Sequence, residues 1–525
     1  MTATTVPAAG ISISGDFDSG SMASASVSGD VVTLRPRTYP FNGATTSWWN
    51  SFRIDGAAGR TLTFVYDTTG LNLHGHESAT RYVISYDQQT WAFPDSTSGS
   101  GSGYTFTHTF TQDTAWVAYG IPYPVSRVDA TVANWASSPW VSPTPSSNAD
   151  LKILNTGSGT PWLTPGGMNE LGFPIPPHPL YAFCITDDRA TGAKANVVIM
   201  AGNHAGEPTG NHTLEGLVDW LLGDAPRAVA LRRAARIFVY PMSDPDGRYG
   251  GYSRSNQLLP DGDHNREWDV ASNGTLPEID RLQEAMRLDC DANATFFLDI
   301  HNQEKPDQHY MFLNNGWQNT PFVQGMLAYF SPFSLSISPN FDTRIARGWA
   351  RASSDGLNAA NSFTMEPGSW PVTTPAIYHD FGQAIGWSLF DALVENTPYY
   401  IWAVSAGLSG DDALPQSDPD GDRFTNEFEQ AFGSSPTSAA SLPRVTLKRN
   451  EVDGTFELTF LMALEGGIEY LVEYSTDLMG WQPALEDRLQ LKEDTDLGNG
   501  YREVTYECAV PAGTEWFFRV GPTFP

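Results

Sequence analysis

The 525-residue sequence is poor in lysine and cysteine and contains no long apolar run. Only five of its 30 basic residues are lysines, whereas 60 residues are acidic, and the formal net charge is −30. Such a charge repels a phosphate backbone, so we expect no nucleic-acid partner. No run of 18 apolar residues occurs, and we therefore expect no transmembrane segment.

The three cysteines, Cys184, Cys290 and Cys508, are far apart and lack the short spacing of a metal site. They allow at most one disulfide, and we expect buried free thiols. The N-terminal stretch "MTATTVPAAG" lacks the charged and apolar regions of a signal peptide. Two interpretations remain: an intracellular protein, or an exported one whose signal was replaced by a start methionine.

Residues 1–148 are predicted to form an N-terminal β-sandwich domain. Segments such as "RTLTFVYD" (60–67) alternate apolar and polar residues between Gly- and Ser-rich turns, which is the pattern of half-buried strands. The Pro- and Ser-rich stretch "SSPWVSPTPSSNAD" (137–150) predicts a linker at the end of this domain.

Residues 149–408 have a different pattern. Apolar segments such as "ANVVIMAG" (195–202) and "ATFFLDIH" (294–301) alternate with amphipathic segments such as "TLEGLVDWLLGD". This alternation predicts a central α/β domain with a mixed sheet flanked by helices. In such sheets ligands collect at the carboxyl ends of strands, which is where His204 and His301 occur.

A metal site is predicted from the residues at these strand ends. "HAGE" (204–207) supplies a nitrogen from His204 and an oxygen from Glu207, and "FFLDIHNQ" supplies His301, with Asp299 as an anchor for its ring. Catalytic zinc takes three such ligands and leaves one position open for water. Each residue alone would suit an ordinary polar loop, but together they favour Zn²⁺.

Five motifs carry a family resemblance through their order along the chain. They are "HAGE" (204–207), "DPDGRYGGYSRSN" (244–256), "GDHNREWD" (262–269), "LDIH" (298–301) and "FTMEPGS" (363–369). In this order they resemble the zinc metallocarboxypeptidases, in particular the branch around the cytosolic carboxypeptidases. That branch carries a β-sandwich before the peptidase domain, and "GDFDSGSM" (15–22) and "YGIPYPVSRVD" (119–129) resemble its signatures.

The resemblance implies roles for individual residues. His204, Glu207 and His301 would bind Zn²⁺. Glu366 would be the general base, and Arg254 would polarise the scissile carbonyl and stabilise the oxyanion. The implied reaction is hydrolysis of the C-terminal peptide bond of a peptide or protein.

The resemblance also implies a substrate pocket. Asn265 and Arg266 would hold the terminal carboxylate of the substrate, which a guanidinium binds in bidentate fashion. Arg351 stands fifteen positions before Glu366, where the family has its pocket residue, and would favour substrates ending in Glu or Asp. The alternative for Arg351 is a solvated helix arginine. His264 departs from the family, which usually has an apolar residue at this position.

Residues 409–441 are predicted to form an acidic linker with a calcium loop. "DPDGDRFTNEFE" (418–429) has the length of a twelve-residue calcium loop. Its expected ligands are Asp418, Asp420, Asp422, the carbonyl of Phe424, Asn426 and Glu429. Arg423 stands where such loops usually require glycine, and a left-handed arginine costs about 1 kcal/mol or more. The alternative is a solvated acidic entry to a helix.

Residues 442–525 return to alternating strands and predict a small C-terminal β-sandwich. Their segment "YLVEYSTDLMGW" (470–481) resembles a signature of β-modules appended to secreted enzymes. The calcium loop resembles linkers of secreted bacterial proteins. With the low lysine content, these features favour an extracellular or periplasmic location, and the cytoplasm is the alternative.

The predicted function is that of a zinc metallocarboxypeptidase that acts on peptide or protein C-termini and prefers terminal Glu or Asp. One alternative is a zinc amidohydrolase of the same fold that acts on a non-peptide or cell-wall amide. Such an enzyme would not need Asn265 and Arg266. Another alternative is a non-catalytic binding protein, against which the retention of Glu366 and the three metal ligands argues.

Overall fold

A computed structural model describes part of the chain, from residue 10 onward. The described residues are 10–41, 44–71, 81–99, 104–150, 152–156, 159–190, 193–269, 275–303, 308–314, 316–331, 334–339, 342–395, 398–450, 455–464, 468–484, 489–508 and 515–523. The chain divides into two units. The first comprises residues 1–185, 196–222 and 236–388, and the second comprises residues 186–195, 223–235 and 389–525.

Short strands build the N-terminal part of the first unit. They are β1 (Ser12–Ser14), β2 (Ser24–Ser28), β3 (Val31–Arg35), β4 (Tyr39–Phe41), β5 (Ala44–Thr46), β6 (Ser51–Asp55), β7 (Thr61–Tyr66), β8 (Tyr82–Ser85), β9 (Ser96–Ser98), β10 (Thr105–Thr109) and β11 (Ala115–Tyr119). One sheet has the strand order β1-β6-β11-β8, and a second has the order β2-β3-β7-β10-β9.

Alternating side chains along these strands build one apolar core shared by both sheets. On β7, Leu62, Phe64 and Tyr66 are buried, and the residues between them are more exposed. They belong to one cluster with Phe52 of β6 and Phe106 of β10, and the rings of Phe64 and Phe106 stack at 4.6 Å. The β-rich N-terminal domain predicted from the alternating pattern is therefore present.

The central part of the first unit contains an eight-stranded mixed sheet and a small hairpin. The sheet strands are β12 (Val141–Pro143), β15 (Phe183–Ile185), β16 (Ala195–Ala201), β17 (Ala235–Tyr240), β18 (Phe296–Ile300), β19 (His309–Leu313), β20 (Leu335–Pro339) and β21 (Asn361–Glu366). Their order is β12-β15-β17-β16-β18-β21-β19-β20. The hairpin pairs β13 (Gly167–Met168) with β14 (Pro174–Ile175). The predicted α/β domain is confirmed.

The helices lie between and after these strands. They are α1 (Val125–Trp135), α2 (Pro208–Leu222), α3 (Pro226–Ala234), α4 (Pro245–Tyr249), α5 (Pro277–Asp289), α6 (Pro321–Tyr329), α7 (Ala346–Ala350), α8 (Ala376–Leu393), α9 (Pro398–Ser405) and α10 (Asn426–Phe432). Proline occupies the first turn of several of them, where its fixed φ suits a helix start and its missing N–H costs nothing. Among the described residues, no helix combines the length and apolarity needed to cross a membrane.

Parallel pairing in the middle of the sheet sets the position of the functional residues. β16 pairs with β18, and β18 pairs with β21, both in parallel. The register aligns Ala201 with Ile300 and Ile300 with Met365. The backbone N–H of His301 then donates to the carbonyl of Met365 at 2.8 Å, which extends the pairing by one residue. The carboxyl ends of the three strands therefore meet at one edge of the sheet.

Helix α1 joins the N-terminal β domain to the central sheet domain within the first unit. The indole N–H of Trp135 donates to Asp219 of α2 at 2.7 Å. Arg127 makes hydrogen bonds of 3.0–3.2 Å with Glu215 of the same helix. Because of such contacts both predicted domains fall into one unit, and the boundary at residues 148/149 stays a prediction.

Residues 445–523 of the second unit form two antiparallel sheets. The strands are β22 (Val445–Arg449), β23 (Phe456–Ala463), β24 (Glu469–Ser475), β25 (Gln482–Pro483), β26 (Leu489–Asp496), β27 (Tyr501–Cys508) and β28 (Phe517–Thr523). The sheet orders are β22-β23-β27-β26 and β25-β24-β28. One core contains Phe460 from the first sheet and Val472 from the second, together with Phe432 of α10. Cys184, Cys290 and Cys508 are buried and are not in disulfides, as predicted.

Replacing Phe64 by alanine is expected to destabilise the N-terminal β domain by about 3–5 kcal/mol, because it leaves a cavity in a close-packed core. Urea unfolding followed by circular dichroism measures the change. The control is Thr33→Ala on the exposed face of β3, which should change stability by less than about 0.5 kcal/mol. Equal effects of the two substitutions would contradict this assignment of the core.

Candidate active site

His204, Glu207 and His301 converge at the carboxyl ends of β16 and β18. His204 Nδ1 lies 2.7 Å from Glu207 Oε1, and His301 Nδ1 lies 2.9 Å from Glu207 Oε2. The two Nδ1 atoms are 3.1 Å apart. All three side chains are buried, and their donor atoms lie within 4.8 Å of one another. The structure therefore brings the three predicted ligands together.

Carboxylates behind the two imidazoles orient their rings. His301 Nε2 lies 2.8 Å from Asp299 Oδ2, which is the anchor expected from the sequence. His204 Nε2 lies 2.9 Å from Asp263 Oδ1, a partner that sequence reasoning missed. Burial by itself would lower the pKa of His301, but the carboxylates of Asp299 and Glu207 raise it. With Nε2 donating to a carboxylate, each ring turns the lone pair of Nδ1 towards Glu207.

This donor set fits zinc. Two imidazole nitrogens and one carboxylate are a ligand combination of catalytic zinc sites. Two buried Nδ1 atoms at 3.1 Å would each need a proton to pair with Glu207, whereas one divalent cation would satisfy both nitrogens and the carboxylate together. The chemistry of the site therefore agrees with the metal that the sequence predicts.

Glu366, the last residue of β21, lies on the same cavity as these ligands. Its carboxylate accepts a hydrogen bond from the side-chain amide of Gln303. Burial raises the pKa of Glu366 to about 7, His301 opposes the shift, and the neighbouring Glu207 carboxylate adds to it. Glu366 therefore stands where a proton can be taken up and released near neutral pH.

A cavity of about 250 Å³ collects the predicted site residues. Its lining includes His204, Glu207, Arg254, Asn265, Arg266 and Glu366. Trp48, from the N-terminal β domain, forms part of the same wall, and the guanidinium of Arg254 lies 4.4 Å above its ring. No local sequence signal identifies Trp48, because it reaches the cavity only through the packing of two domains.

Asp263 and Trp48 hold Arg254 in place. Arg254 Nη2 donates to Asp263 Oδ2 at 2.7 Å, and Arg254 Nη1 lies 3.7 Å from Glu207 Oε1. Burial disfavours the charge of Arg254, but the carboxylates of Asp263 and Glu207 raise its pKa. The guanidinium thus stays cationic beside Glu207, one of the three predicted metal ligands.

Asn265 and Arg266 belong to a short 3-10 turn, His264–Arg266. Asn265 Oδ1 accepts from the backbone N–H of Ala346 at 2.9 Å, and this bond fixes the amide. Arg266 Nη1 donates to the carbonyl of Asn265, and Arg266 Nε lies 3.9 Å from Asp342 Oδ2. The side chain of Arg266 is 39% exposed, so its guanidinium is accessible from the cavity.

The structure places Arg351 outside the lining of the cavity. Its side chain is exposed, its guanidinium lies 5.0 Å above the ring of Trp317, and it does not line the cavity. Arg347 lines the cavity instead and is buried. The two arginines lie one helical turn apart in and after α7, and the cavity lies at the start of α7, beside Ile345. The exposed position of Arg351 agrees with the alternative of a solvated helix arginine.

Arg347 is held by a second polar residue at the pocket wall. Its Nη1 donates to Asn314 Oδ1 at 3.1 Å. Burial lowers the pKa of Arg347 to about 10, a value at which the side chain still carries its charge at neutral pH. Phe312, Ile345 and Thr364 line the cavity with it. The cavity wall thus contains a buried cation beside the side chains of Phe312 and Ile345.

The acidic loop 418–429 belongs to the second unit. Oxygen atoms of Asp418, Asp420 and Asp422 lie within 4.8 Å of one another. Arg423 adopts φ 81°, the left-handed conformation that its loop position predicts. Burial raises the pKa of Glu429 to about 7, and the three aspartates add to the shift. The carboxylates expected to bind calcium therefore lie near one another.

Two ranges of the chain match known protein families. Residues 13–119 match the cytosolic carboxypeptidase N-terminal domain, and residues 176–300 match the zinc carboxypeptidase family. The resemblance to the zinc carboxypeptidases is confirmed. The second match contains two of the predicted zinc ligands, His204 and Glu207. The third, His301, is the residue directly after it.

Individual relatives found by sequence similarity are named cytosolic carboxypeptidases. Human cytosolic carboxypeptidase 6 is 30% identical over 151 residues, which make up 28% of this chain and 30% of that protein. Cytosolic carboxypeptidase 2 of Macaca fascicularis is 28% identical over 199 residues, or 36% of this chain and 24% of that protein. The chain therefore matches less than a third of the length of these relatives.

Solved carboxypeptidases share the fold. A metallo-carboxypeptidase from Burkholderia cenocepacia has a TM-score of 0.57 and 20% identity, with 73% of this chain and 98% of that chain covered. A metallo-carboxypeptidase from Pseudomonas aeruginosa has a TM-score of 0.54 and 19% identity, with 72% and 98% covered. At these identities the similarity concerns the fold.

The predicted location is wrong. The matched relatives are named cytosolic carboxypeptidases, and the N-terminal match is to the domain of that type. These findings contradict an extracellular or periplasmic protein. An acidic, lysine-poor composition affects solubility and association, and it does not identify a compartment.

Replacing Asp299 by asparagine is expected to weaken zinc binding about 10–100-fold, because the imidazole of His301 loses the carboxylate that orients it. Competition with a chromophoric chelator measures the affinity. The control is Asp289→Asn, since Asp289 is also buried but bonds to Tyr240 and Ser146, away from the metal ligands. Unchanged zinc affinity in Asp299→Asn would contradict the anchoring role.

Proposed function

We propose that the protein is a zinc-dependent carboxypeptidase that hydrolyses the C-terminal peptide bond of peptides or proteins. One observation carries the proposal. A single cavity is lined by metal-ligating side chains, by the carboxylate of Glu366 and by the cations of Arg254 and Arg266. The match to the zinc carboxypeptidase family supports it. We also propose, from the names of the relatives, that the chain acts in the cytoplasm.

The metal would be held by His204, Glu207 and His301. When bound, zinc supplies Lewis-acid activation of water at neutral pH. Glu366 then acts as the general base that accepts the proton of the attacking water at its carboxylate and later delivers it to the leaving amine. The raised pKa of Glu366, about 7, suits both transfers. Gln303 holds the carboxylate in position through its amide.

Two arginines orient the substrate in this proposal. Arg254, fixed by Asp263 and by the ring of Trp48, faces the metal ligands and stabilises negative charge on the scissile carbonyl oxygen. Arg266, which is accessible, binds the terminal carboxylate together with the amide of Asn265. Asp342, 3.9 Å from Arg266, keeps the guanidinium near the cavity between substrates.

We propose that Arg347, rather than Arg351, gives the enzyme a preference for terminal Glu or Asp. The buried guanidinium of Arg347 would pair with a side-chain carboxylate more strongly than an exposed guanidinium would, because water screens it less. Asn314 accepts a hydrogen bond from Nη1 of Arg347 and so orients the guanidinium. A neutral terminal side chain would bury the cation without a matching charge, which costs free energy.

Peptides with free and with amidated C-termini test the reaction. Wild-type enzyme should cleave the free form and leave the amidated form uncleaved, because Arg266 and Asn265 need a terminal carboxylate. Glu366→Gln should lower kcat about 10²–10⁴-fold, since the general base is lost, with zinc content unchanged. The control is Glu284→Gln, which alters an exposed ion pair with Arg281.

The alternatives predict other results. Equal rates on free and amidated peptides would favour an amidohydrolase of the same fold. Bound zinc without hydrolysis of a broad peptide panel by the wild type would favour a binding protein. Full activity in Glu366→Gln would overturn the role of Glu366.

A matched pair of arginine variants tests specificity. Arg347→Gln should lower kcat/KM for peptides ending in Glu or Asp about 10–100-fold, which corresponds to the 1.5–3 kcal/mol of a hydrogen bond to a charged group. Peptides ending in Leu should change much less. Arg351→Gln, one helical turn away, should leave both values unchanged. An effect of Arg351→Gln equal to that of Arg347→Gln would contradict the assignment.

We propose that the loop 418–429 binds Ca²⁺ through Asp418, Asp420, Asp422, the Phe424 carbonyl, Asn426 and Glu429. The clustering of the aspartates supports this. Oδ2 of Asp420, Oδ2 of Asp422 and Oε2 of Glu429 are buried and have no hydrogen-bond partner among the described residues. Calorimetric titration of the metal-free chain with Ca²⁺ tests the site, and absence of binding would overturn it.

The domain organisation is also a proposal. We infer domains at residues 1–148 and 149–408, a linker at 409–441 and a small β-sandwich at 442–525. The two sheets that share a core around Phe460 and Val472 support the last of these. Limited proteolysis should cut first within residues 409–441, and early cuts within the two sheets of the last domain would contradict it.

A further inference from the structure

A second cluster of metal-type side chains lies in the interior of the carboxypeptidase domain. It consists of Asp244, His264 and Glu278, whose exposed fractions are 0%, 0% and 1%. One donor atom from each residue lies within 4.8 Å of the other two. We propose that this second cluster binds a divalent metal ion of its own, with zinc as the ion that its donors suit.

In each of the two carboxylates, one oxygen accepts hydrogen bonds that orient the second oxygen. Asp244 Oδ1 accepts from the backbone N–H of Gly247 at 2.9 Å and from Asn256 Nδ2 at 3.0 Å. Glu278 Oε1 accepts from the same Asn256 amide. The remaining oxygens, Asp244 Oδ2 and Glu278 Oε2, are buried and have no hydrogen-bond partner among the described residues.

The orientation of His264 follows from Asn203. The Asn203 side-chain N–H donates to Asp299 at 3.1 Å, and its oxygen accepts from the indole N–H of Trp268 at 3.2 Å. An amide oriented by these two bonds presents its oxygen to His264 Nδ1, 2.7 Å away, so Nδ1 is the donor. His264 Nε2 then carries a lone pair in the neutral ring, and it too is buried without a hydrogen-bond partner in the described structure.

The spacing within the cluster suits a shared ion better than direct contact. His264 Nε2 lies 3.5 Å from Glu278 Oε1, the oxygen that Asn256 already bonds, and this distance is longer than the usual N–H···O distance of about 2.7–3.2 Å. Two ligands of a tetrahedral zinc ion with bonds of about 2.1 Å are roughly 3.4 Å apart. Two buried carboxylates would also leave net negative charge in the core, and a divalent cation would compensate it.

The donor atoms of the second cluster, and the hydrogen bonds that orient them, resemble those of known metal sites. One imidazole nitrogen and two carboxylate oxygens suit zinc and its neighbours among the transition metals. Each donor is held by a hydrogen bond to its other atom, as metal ligands usually are. Gly247 keeps space beside the cluster, because a Cβ atom there would lie 2.3 Å from Asp244 Oδ2.

Such an ion would stabilise the active site without touching substrate. It would join the start of α4 at Asp244, the start of α5 at Glu278 and the turn at His264. That turn is flanked by Asp263, which holds the ring of His204, and contains Asn265. Asn203 connects the second cluster with Asp299 behind His301. The proposal itself does not depend on the proposed peptidase function.

Zinc content tests the second site. Wild type, Glu278→Gln and His264→Leu are saturated with Zn²⁺, passed through gel filtration and analysed by mass spectrometry of the metal, with folding checked by circular dichroism. Wild type should hold two equivalents, and each variant should hold one. The control Asp289→Asn, which alters a buried carboxylate outside both clusters, should hold as many as wild type.

A variant of the first site separates the two proposals. His301→Ala should retain one equivalent, and adding Glu278→Gln should remove it. A wild type with one equivalent and a Glu278→Gln variant with none would still support the second site. Equal zinc content in wild type and Glu278→Gln overturns the proposal.

A measurement on the wild type covers the case in which the variants do not fold. Crystals of zinc-saturated wild type should show an anomalous peak at the zinc edge between His264 Nε2, Asp244 and Glu278. A difference map without a zinc peak at this position overturns the proposal.

Discussion

The in-register pairing of three parallel strands is the constraint on which the rest of the molecule depends. β16, β18 and β21 are almost entirely buried, so a slip of one residue would turn apolar side chains away from the core. The register ends at Ala201, Ile300 and Met365, and His301 continues it by one hydrogen bond. Because the strands end together, His204 and Glu366, which are separated by more than 150 residues, meet at one cavity.

Buried charge organises the space around that cavity. Asp263 bonds to both His204 and Arg254, and Asp299 bonds to both His301 and Asn203. Each of these carboxylates therefore orients two groups at once. Fewer buried carboxylates are needed than if each group had a carboxylate of its own. Networks of this kind are costly unless every member is satisfied. A metal ion in the second cluster would satisfy Asp244 Oδ2, His264 Nε2 and Glu278 Oε2, which have no hydrogen-bond partner among the described residues.

The sequence predicted the residues that define a motif and missed those that only packing brings in. The carboxyl ends of strands are where ligands bind in α/β sheets. His204, Glu207 and His301 follow apolar strands, and Glu366 belongs to a motif of the family that the sequence resembles. Trp48 has no such signal, because it reaches the cavity from another domain. Arg347 lines the cavity and Arg351 does not, and a count of positions does not say which end of α7 faces the cavity.

By itself, the sequence determined the order of a β-rich domain and an α/β domain, because the alternation and the hydrophobicity of strands are local properties. The order of its motifs also determined the family resemblance and the residue types available for the chemistry. Only the tertiary structure decided which charges are buried together. It placed Arg347 inside the cavity and made one buried cluster of Asp244, His264 and Glu278. Distances between side chains far apart in the chain depend on sheet register and helix packing, which no local pattern encodes.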